Sequence, residues 1–430
     1  MIPRTLGPIL AASKKSFLLL GPRQTGKSSL VSSLNPDMEI NLAHEPTFLE
    51  FLRNPSELEE RLLSRRAHSS VFIDEIQRLP SLLNTVQFLL DRRENRLKFY
   101  LTGSSARKLR RGQANLLPGR IHTYTLGPLS CGELDYALDL RQALSYGTLP
   151  GIWTAEDNRS REKTLRSYAA TYVKEEVQAE SLARNLEGFA RFLTIVAAWA
   201  GQYLDLAKMA AAAYVARQTA VRYFEVLEDC LLVRRLDAFA KSLTRRLVQH
   251  PKFVFFDVGI LNGLLGNFEA SPDRVGRLFE HLICNQILNE AGARDVEARI
   301  ATYRTEHGAE VDLIVEVGTQ LFAVEVKASR LAAASDLRGL HSFREYYGKR
   351  HRSWILYQGS VRKQIGNTEI WPWQEGIREM FESATISVTG HTETVTETPR
   401  PSSGGSSARH LSPRDDGTNR RCNSDPHRPG

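Results

Sequence analysis

One stretch constrains this chain more than any other: Phe17-Leu-Leu-Leu-Gly-Pro-Arg-Gln-Thr-Gly-Lys-Ser-Ser29. Four apolar residues, Phe17 to Leu20, run straight into Gly21, and Gly26, Lys27 and Ser28 follow. The pattern G-x-x-x-x-G-K-[ST] therefore stands where a buried strand gives way to a helix. Glycines in that setting let successive backbone N–H groups turn inward around a phosphate chain. The positive end of the new helix adds to the same field. Nucleotide contact is assigned to Gly21, Gln24, Thr25, Gly26, Lys27, Ser28 and Ser29. Lys27 would reach the β- and γ-phosphates, and the Ser28 hydroxyl would ligate Mg²⁺. A chance Gly-rich turn needs neither the strand before, the helix after nor the complete pattern. ATP or GTP is the expected ligand.

A second strand, Ser70-Val-Phe-Ile-Asp-Glu-Ile76, ends in adjacent carboxylates. Asp74 would hold the Mg²⁺ through water, while Glu75, beside the metal but not on it, would polarise the attacking water. Alone, an acidic strand end is a common turn; downstream of the glycine-rich loop it reads as the partner motif. A further strand, Leu97 to Ser104, ends in Thr102 and Ser104, where parallel α/β sheets place their ligands and where a γ-phosphate sensor would lie. Beyond a basic helix, Ala106 to Arg111, Arg120 has two readings: an arginine finger on a neighbouring subunit's nucleotide, or a turn arginine in a surface ion pair.

Gly-Pro-Arg-Gln-Thr-Gly-Lys-Ser (21–28), Phe-Ile-Asp-Glu-Ile-Gln (72–77), Leu-Thr-Gly-Ser-Ser (101–105), Pro-Gly-Arg (118–120) and Gly-Pro-Leu-Ser (127–130) occur in this order. Together they resemble a family of prokaryotic AAA-type ATPases whose uncharacterised C-terminal region has a restriction-endonuclease-like core. The likeness runs to about Trp373. The family's Thr at the last loop position is here Ser28, which keeps the metal-ligating hydroxyl. The resemblance implies ATP as the nucleotide, and a homo-oligomer.

Past a charged helical connector containing Lys174-Glu-Glu176, an apolar helix spans Glu187 to Ala200. Residues 204–229 then read as a helix–turn–helix, and Cys230 to Asp237 as the strand of a winged-helix module. Its recognition helix would present Arg217, Gln218, Thr219 and Arg222, with Lys241, Arg245 and Arg246 nearby. Contact with DNA and a purely structural module both remain open, since this stretch is only moderately basic. Further on, Gly308-Ala-Glu-Val-Asp-Leu-Ile-Val-Glu316 and Leu321-Phe-Ala-Val-Glu-Val-Lys327 match the PD-(D/E)xK nuclease pattern. Period-two geometry puts Glu325 and Lys327 on one face of their strand. Asp312 and Glu325, joined by Glu280 from a preceding helix, would ligate Mg²⁺, and Lys327 would orient a hydroxide. A hairpin with ordinary surface charges is the plain alternative, and fold alone does not fix activity.

At 430 residues with a net charge of +8, the chain has room for several domains, and its charge permits nucleic-acid binding without establishing it. The four cysteines are scattered without metal-ligand spacing, and no apolar run is long enough to span a bilayer, so a cytoplasmic protein without membrane contact is expected. The expected fold is α/β: a P-loop parallel-sheet ATPase domain over residues 1–135, a helical connector with a winged-helix-like segment over 136–250, a C-terminal α/β restriction-endonuclease-like domain over 251–382, and a disordered Ser/Thr/Pro/Gly/Arg tail over 383–430. Two functions compete. One is an ATPase coupled to a nuclease-like domain on DNA; the other is a nucleotide-switched regulator that binds DNA or protein without cutting.

Overall fold

The computed structural model describes residues 2–63, 69–92, 97–104, 117, 119–172, 186–239 and 250–389. Residues 1–388 form one compact unit.

The N-terminal sheet is wholly parallel. Its strands are β1 (Ser16–Leu20), β2 (Met38–Asn41), β3 (Ser70–Asp74), β4 (Lys98–Gly103) and β5 (Ile121–Thr125), in the order β2-β3-β4-β1-β5. Parallel sheets need cover on both faces, and the strands supply it by alternation. Leu18, Val71, Ile73, Phe99 and Leu101 enter one core, packed beneath helices Glu45–Arg53, Glu57–Leu63 and Leu82–Asp91. Phe17, Leu19, Phe72 and Tyr100 enter the other, beneath helices Leu6–Ala12 and Lys27–Ser32. The stretch before Ser16 contains the helix Leu6–Ala12, which buries Leu6 and Leu10. The order matters for function, because β4 lies between β1 and β3 and brings Thr102 and Ser104 between their carboxyl ends.

In the middle region, helices Leu140–Tyr146, Asn158–Ser167, Leu186–Ala198, Leu206–Ala212 and Arg217–Asp229 precede β6 (Val233–Leu236), which pairs antiparallel with β7 (Lys252–Phe255). The division expected at 250/251 thus falls just before a strand that hydrogen-bonds back to the middle region. The same core takes in Phe224, Phe253 and Phe255 together with Phe279 and Trp354, so no break in packing marks that point. Residues 174–176, the basic helix at 106–111, and Lys241, Arg245 and Arg246 lie outside the described residues.

The C-terminal sheet is mixed, with β8 (Ala298–Arg304), β9 (Glu310–Val317), β10 (Gln320–Lys327), β11 (Arg352–Tyr357), β12 (Lys363–Ile365) and β13 (Thr368–Pro372) in the order β12-β13-β11-β10-β9-β8. An antiparallel meander, β8-β9-β10, is followed by the helix Arg338–Tyr347 and a parallel return in β11. The helix Val275–Arg294 and Leu313, Val315, Phe322, Val324 and Trp354 of the sheet belong to one core. The helix Trp373–Thr389 crosses the boundary expected at 382/383 and is a correction to it. Ile377, Met380, Phe381 and Ala384 make an apolar stripe at helical spacing, all buried. The remainder of the expected tail, 390–430, lies outside the described residues. Among the described residues no helix is long and apolar enough to cross a membrane.

Candidate functional sites

The glycine-rich loop joins β1 to the helix Lys27–Ser32. Gly26 takes φ of 87°, a left-handed conformation open to glycine at little cost. Gly21 is required for another reason: a Cβ there would stand 2.1 Å from the Leu126 carbonyl oxygen that follows β5. Lys27 is buried, and its ammonium donates to the Gly21 and Pro22 carbonyls, each at 2.8 Å. Thr25 turns its hydroxyl back to the Pro22 carbonyl at 2.9 Å, so its side chain braces the loop rather than facing a ligand. Gln24 and Ser29 are exposed at its rim.

Asp74 is the hub of the acidic end. Its carboxylate accepts from Ser28 Oγ at 3.0 Å and from Thr102 Oγ1. A serine hydroxyl beside a carboxylate is a set of hard oxygen donors, which suits Mg²⁺ with most of its water retained. The next residue, Glu75, has φ of 57°, a left-handed conformation costing about 1–3 kcal/mol outside glycine. Its N–H donates to Thr102 Oγ1 at 3.2 Å, while its carboxylate is engaged by Gln77 Nε2, which also donates to Ser104 Oγ at 2.9 Å. Ser104 is thus where the strand order required it, and Gln77 joins it unannounced. Its signal was its place at the end of the 72–77 motif, where it was given no role.

Arg120 stands just before Ile121, which pairs with Ser16 at the far end of the sheet from the loop. Its guanidinium makes a two-pronged pair with Asp91, at 2.6 and 3.0 Å, which is the surface ion-pair reading. The length of β1, about 13 Å for four residue steps, separates it from its own nucleotide loop.

The second acidic cluster lies on the C-terminal sheet. Ala301 pairs with Ile314 but Tyr303 with Val311, so β9 carries one extra residue at Asp312 and Leu313. Such bulges re-aim side chains. Val324 pairs with Leu313 in β10, and one further step of that register sets Asp312 opposite Glu325. Asp312 accepts from the Val326 N–H at 2.8 Å, and Lys327 Nζ stands 2.9 Å from Glu325 Oε1. Burial, reinforced by the Asp312 charge, pushes Glu325 up to about 8, and its Oε2 is buried without a partner. Burial also raises Asp312.

Glu280 does not complete a three-carboxylate set. Lys252, from β7, is its partner instead: the ammonium lies 3.1 Å from Glu280 Oε1 and 2.8 Å from Glu310 Oε1. Among the described residues no three His, Cys, Asp or Glu side chains converge to hold a metal. Burial opposes the charge of Lys252, but Glu280 and Glu310 outweigh it and hold its pKa above the usual lysine value. Burial and Asp312 push Glu280 up to about 7. The donor set that fits a metal is therefore Asp312 with Glu325 and its unpartnered oxygen. Beside Lys252 a cleft of about 510 Å³ opens, lined by Trp199, Tyr203, Lys208, His250, Arg304 and Glu310 among others.

In the helix–turn–helix segment, Asp205 caps the first helix by accepting from the Lys208 N–H at 3.0 Å. Arg217, Gln218 and Arg222 of the second helix are exposed, and Thr219 is half-buried.

Residues 13–135 match the family described as AAA domain. Residues 137–271 and 275–375 match two domains of unknown function, DUF8612 and DUF4143. Two uncharacterised mycobacterial proteins, Mb2031c of Mycobacterium bovis and Rv2008c of Mycobacterium tuberculosis, are each 28% identical over 326 residues, covering 74% of this chain and 71% of theirs. A solved structure, a signal transduction ATPase with numerous domains (STAND) and a tetratricopeptide repeat sensor, PH0952 from Pyrococcus horikoshii, is 12% identical with a TM-score of 0.22. The match covers 67% of this chain but spans 45% of that one, and at this TM-score it supports no structural or functional conclusion. The family match and the loop geometry agree: the N-terminal region is an AAA-type P-loop ATPase domain, which implies ATP as its nucleotide.

Proposed function

We propose that the chain is a Mg²⁺-dependent ATPase whose nucleotide cycle controls a C-terminal, metal-dependent phosphodiester-cleaving domain acting on DNA. The observation that carries the first half is the Asp74 carboxylate shared by Ser28 and Thr102, with Glu75 held next to it. Lys27 would exchange the Gly21 and Pro22 carbonyls for the β- and γ-phosphates, Ser28 and Asp74 would hold a Mg²⁺ that supplies positive charge to the phosphates, and Glu75 would take the proton of the attacking water. The apolar cavity of about 340 Å³ formed by Ile2, Pro3, Gly26, Leu30 and Pro150 with their neighbours is the seat of the base. Support for the second half is the facing pair Asp312 and Glu325 with Lys327 beside them. The three regions 1–135, 136–250 and 251–382 would serve as ATPase, DNA-contacting winged helix and nuclease-like core. Assembly into a homo-oligomer would use Arg120 on a neighbour's nucleotide only after it leaves Asp91.

One observation favours the second reading, a switch that binds without cutting: Glu280 is paired with Lys252, and among the described residues no three carboxylates converge to hold a metal. The deciding experiment is cleavage of plasmid and linear DNA with Mg²⁺ or Mn²⁺, with and without ATP. Cleavage present in wild type and lost in Glu325→Ala is expected. Absence of cleavage in every condition, with ATP still hydrolysed, selects the switch. In the same assays Lys27→Ala is expected to lower ATP turnover by about a hundredfold or more through lost phosphate binding, and turnover that survives it would sink the loop assignment.

A further inference from the structure

We propose that Arg4 is a positioning residue for the phosphate-binding loop, an inference that rests on the ATP-binding reading above. Arg4 lies before the first helix, in a stretch where no sequence pattern marks it. Its guanidinium nevertheless spends its donors on three separate pieces of chain. Nε donates to Glu133 Oε1 at 2.9 Å, Nη2 to the Gly127 carbonyl at 2.9 Å, and Nη1 to the Thr25 carbonyl within the loop itself. The pair is enclosed, with side-chain exposures of 8% for Arg4 and 0% for Glu133. Glu133 is fixed in turn by the N–H groups of Thr5 at 3.0 Å and Ser130 at 3.1 Å.

The consequence for the loop follows from peptide geometry. In a trans peptide the C=O and the following N–H point in opposite directions. With the Thr25 carbonyl held by Arg4, the Gly26 N–H must face away from Arg4, as a loop that offers its amides to phosphate requires. Gly26, like Gln24 two positions before it, is left-handed, and as a glycine it is the freer of the two to rotate its flanking peptides. The clasp acts where the backbone is softest. Its planar fork matters: five N–H donors reach separated acceptors at once, which a lysine ammonium cannot do.

The clasp also ties the loop to the C-terminal part of the molecule. Next to Glu133, the Gly132 N–H donates to Glu290 Oε2 at 3.0 Å, and Glu290 also accepts from Tyr136 at 2.7 Å. Glu290 belongs to the helix that carries Glu280.

The test uses the full chain with Arg4→Ala, Arg4→Lys and Glu133→Gln. ATP binding and turnover are measured together with hydrogen exchange of the 21–28 segment in nucleotide-free protein. In Arg4→Ala, KM for ATP is expected to rise about tenfold or more while kcat changes less than about threefold, the signature of lost uniform binding. Arg4→Lys should recover only part of that loss, and Glu133→Gln should lie between Arg4→Lys and wild type. Exchange at 21–28 should quicken while that of β1 does not. Unchanged exchange and unchanged KM in a folded Arg4→Ala protein would overturn the proposal, as would full rescue by lysine. Since exchange needs no nucleotide, failure of ATP binding in wild type would overturn the ATP-binding reading and stays distinguishable from failure of the clasp.

Discussion

Glu75→Gln should lower ATP turnover by about two to four orders of magnitude, the usual loss when a positioned general base is removed. ATP affinity should stay within a few-fold of wild type, because in the proposed site Lys27, Ser28 and Asp74 would hold the phosphates and the metal without it. The amide keeps the shape of the carboxylate and its left-handed backbone, so the substitution tests charge and basicity alone. The neighbours sharpen the expectation. Gln77 and Ser104 engage Glu75, so on the proposed reading the base would exchange these partners for a water at the γ-phosphate. Single-turnover hydrolysis and equilibrium binding on the same preparation separate the two effects. Equal losses in both would show that Glu75 shapes the site rather than taking the proton.

The loop and its acidic partner were legible because each is written in consecutive residues. A strand, a glycine-rich turn and a helix start occupy thirteen positions, and the chemistry needs no distant residue to be recognised. Ser104 was legible one step further out, since parallel strands gather their carboxyl ends on one edge. Gln77 closes the motif at 72–77, but no role was read for it because the phosphate chemistry expected there ends with Glu75. Arg4 and Lys252 were beyond reach for a different reason. Arg4 meets Glu133 across 129 positions and Lys252 meets Glu280 across 28, with no periodicity to announce either contact. The order of Glu280, Asp312 and Glu325 along the chain suggested one ligand set. Order alone could not reveal that a lysine from β7 would take Glu280 first. At the C-terminal boundary the signal was present but masked. The stripe Ile377, Met380, Phe381 and Ala384 continues a helix into a stretch whose Ser and Thr content reads as tail.

Lys252→Met should cost about 3–5 kcal/mol near neutral pH and above, the range for removing one partner of a buried ion pair. Lys252 has a side-chain exposure of 7% and answers two carboxylates, Glu280 and Glu310, with Asp312 adding to the same field. Methionine fills most of the volume of the lysine stem, so the loss is chiefly one of charge. The pH dependence identifies it. Glu280 is already raised from 4.5 to about 7. A carboxyl whose folded pKa lies above its unfolded value binds extra protons in the native state, so its contribution falls as pH rises through that interval. Without the ammonium, the folded pKa of Glu280 moves higher still. The penalty should therefore be small near about pH 5, grow through about pH 8 and then level off. Urea denaturation of both proteins at the two ends of this range reads the difference. Mn²⁺ supplies the second arm: if Asp312 and Glu325 hold a cation, and freed Glu280 joins them, the ion should stabilise Lys252→Met more than wild type by preferential binding to the folded state. A pH-independent penalty would assign the role of Lys252 to packing or to its pair with Glu310 rather than to Glu280. A charge-dependent penalty that Mn²⁺ does not relieve would make Lys252 a structural counter-ion and leave Glu280 outside any metal-binding set.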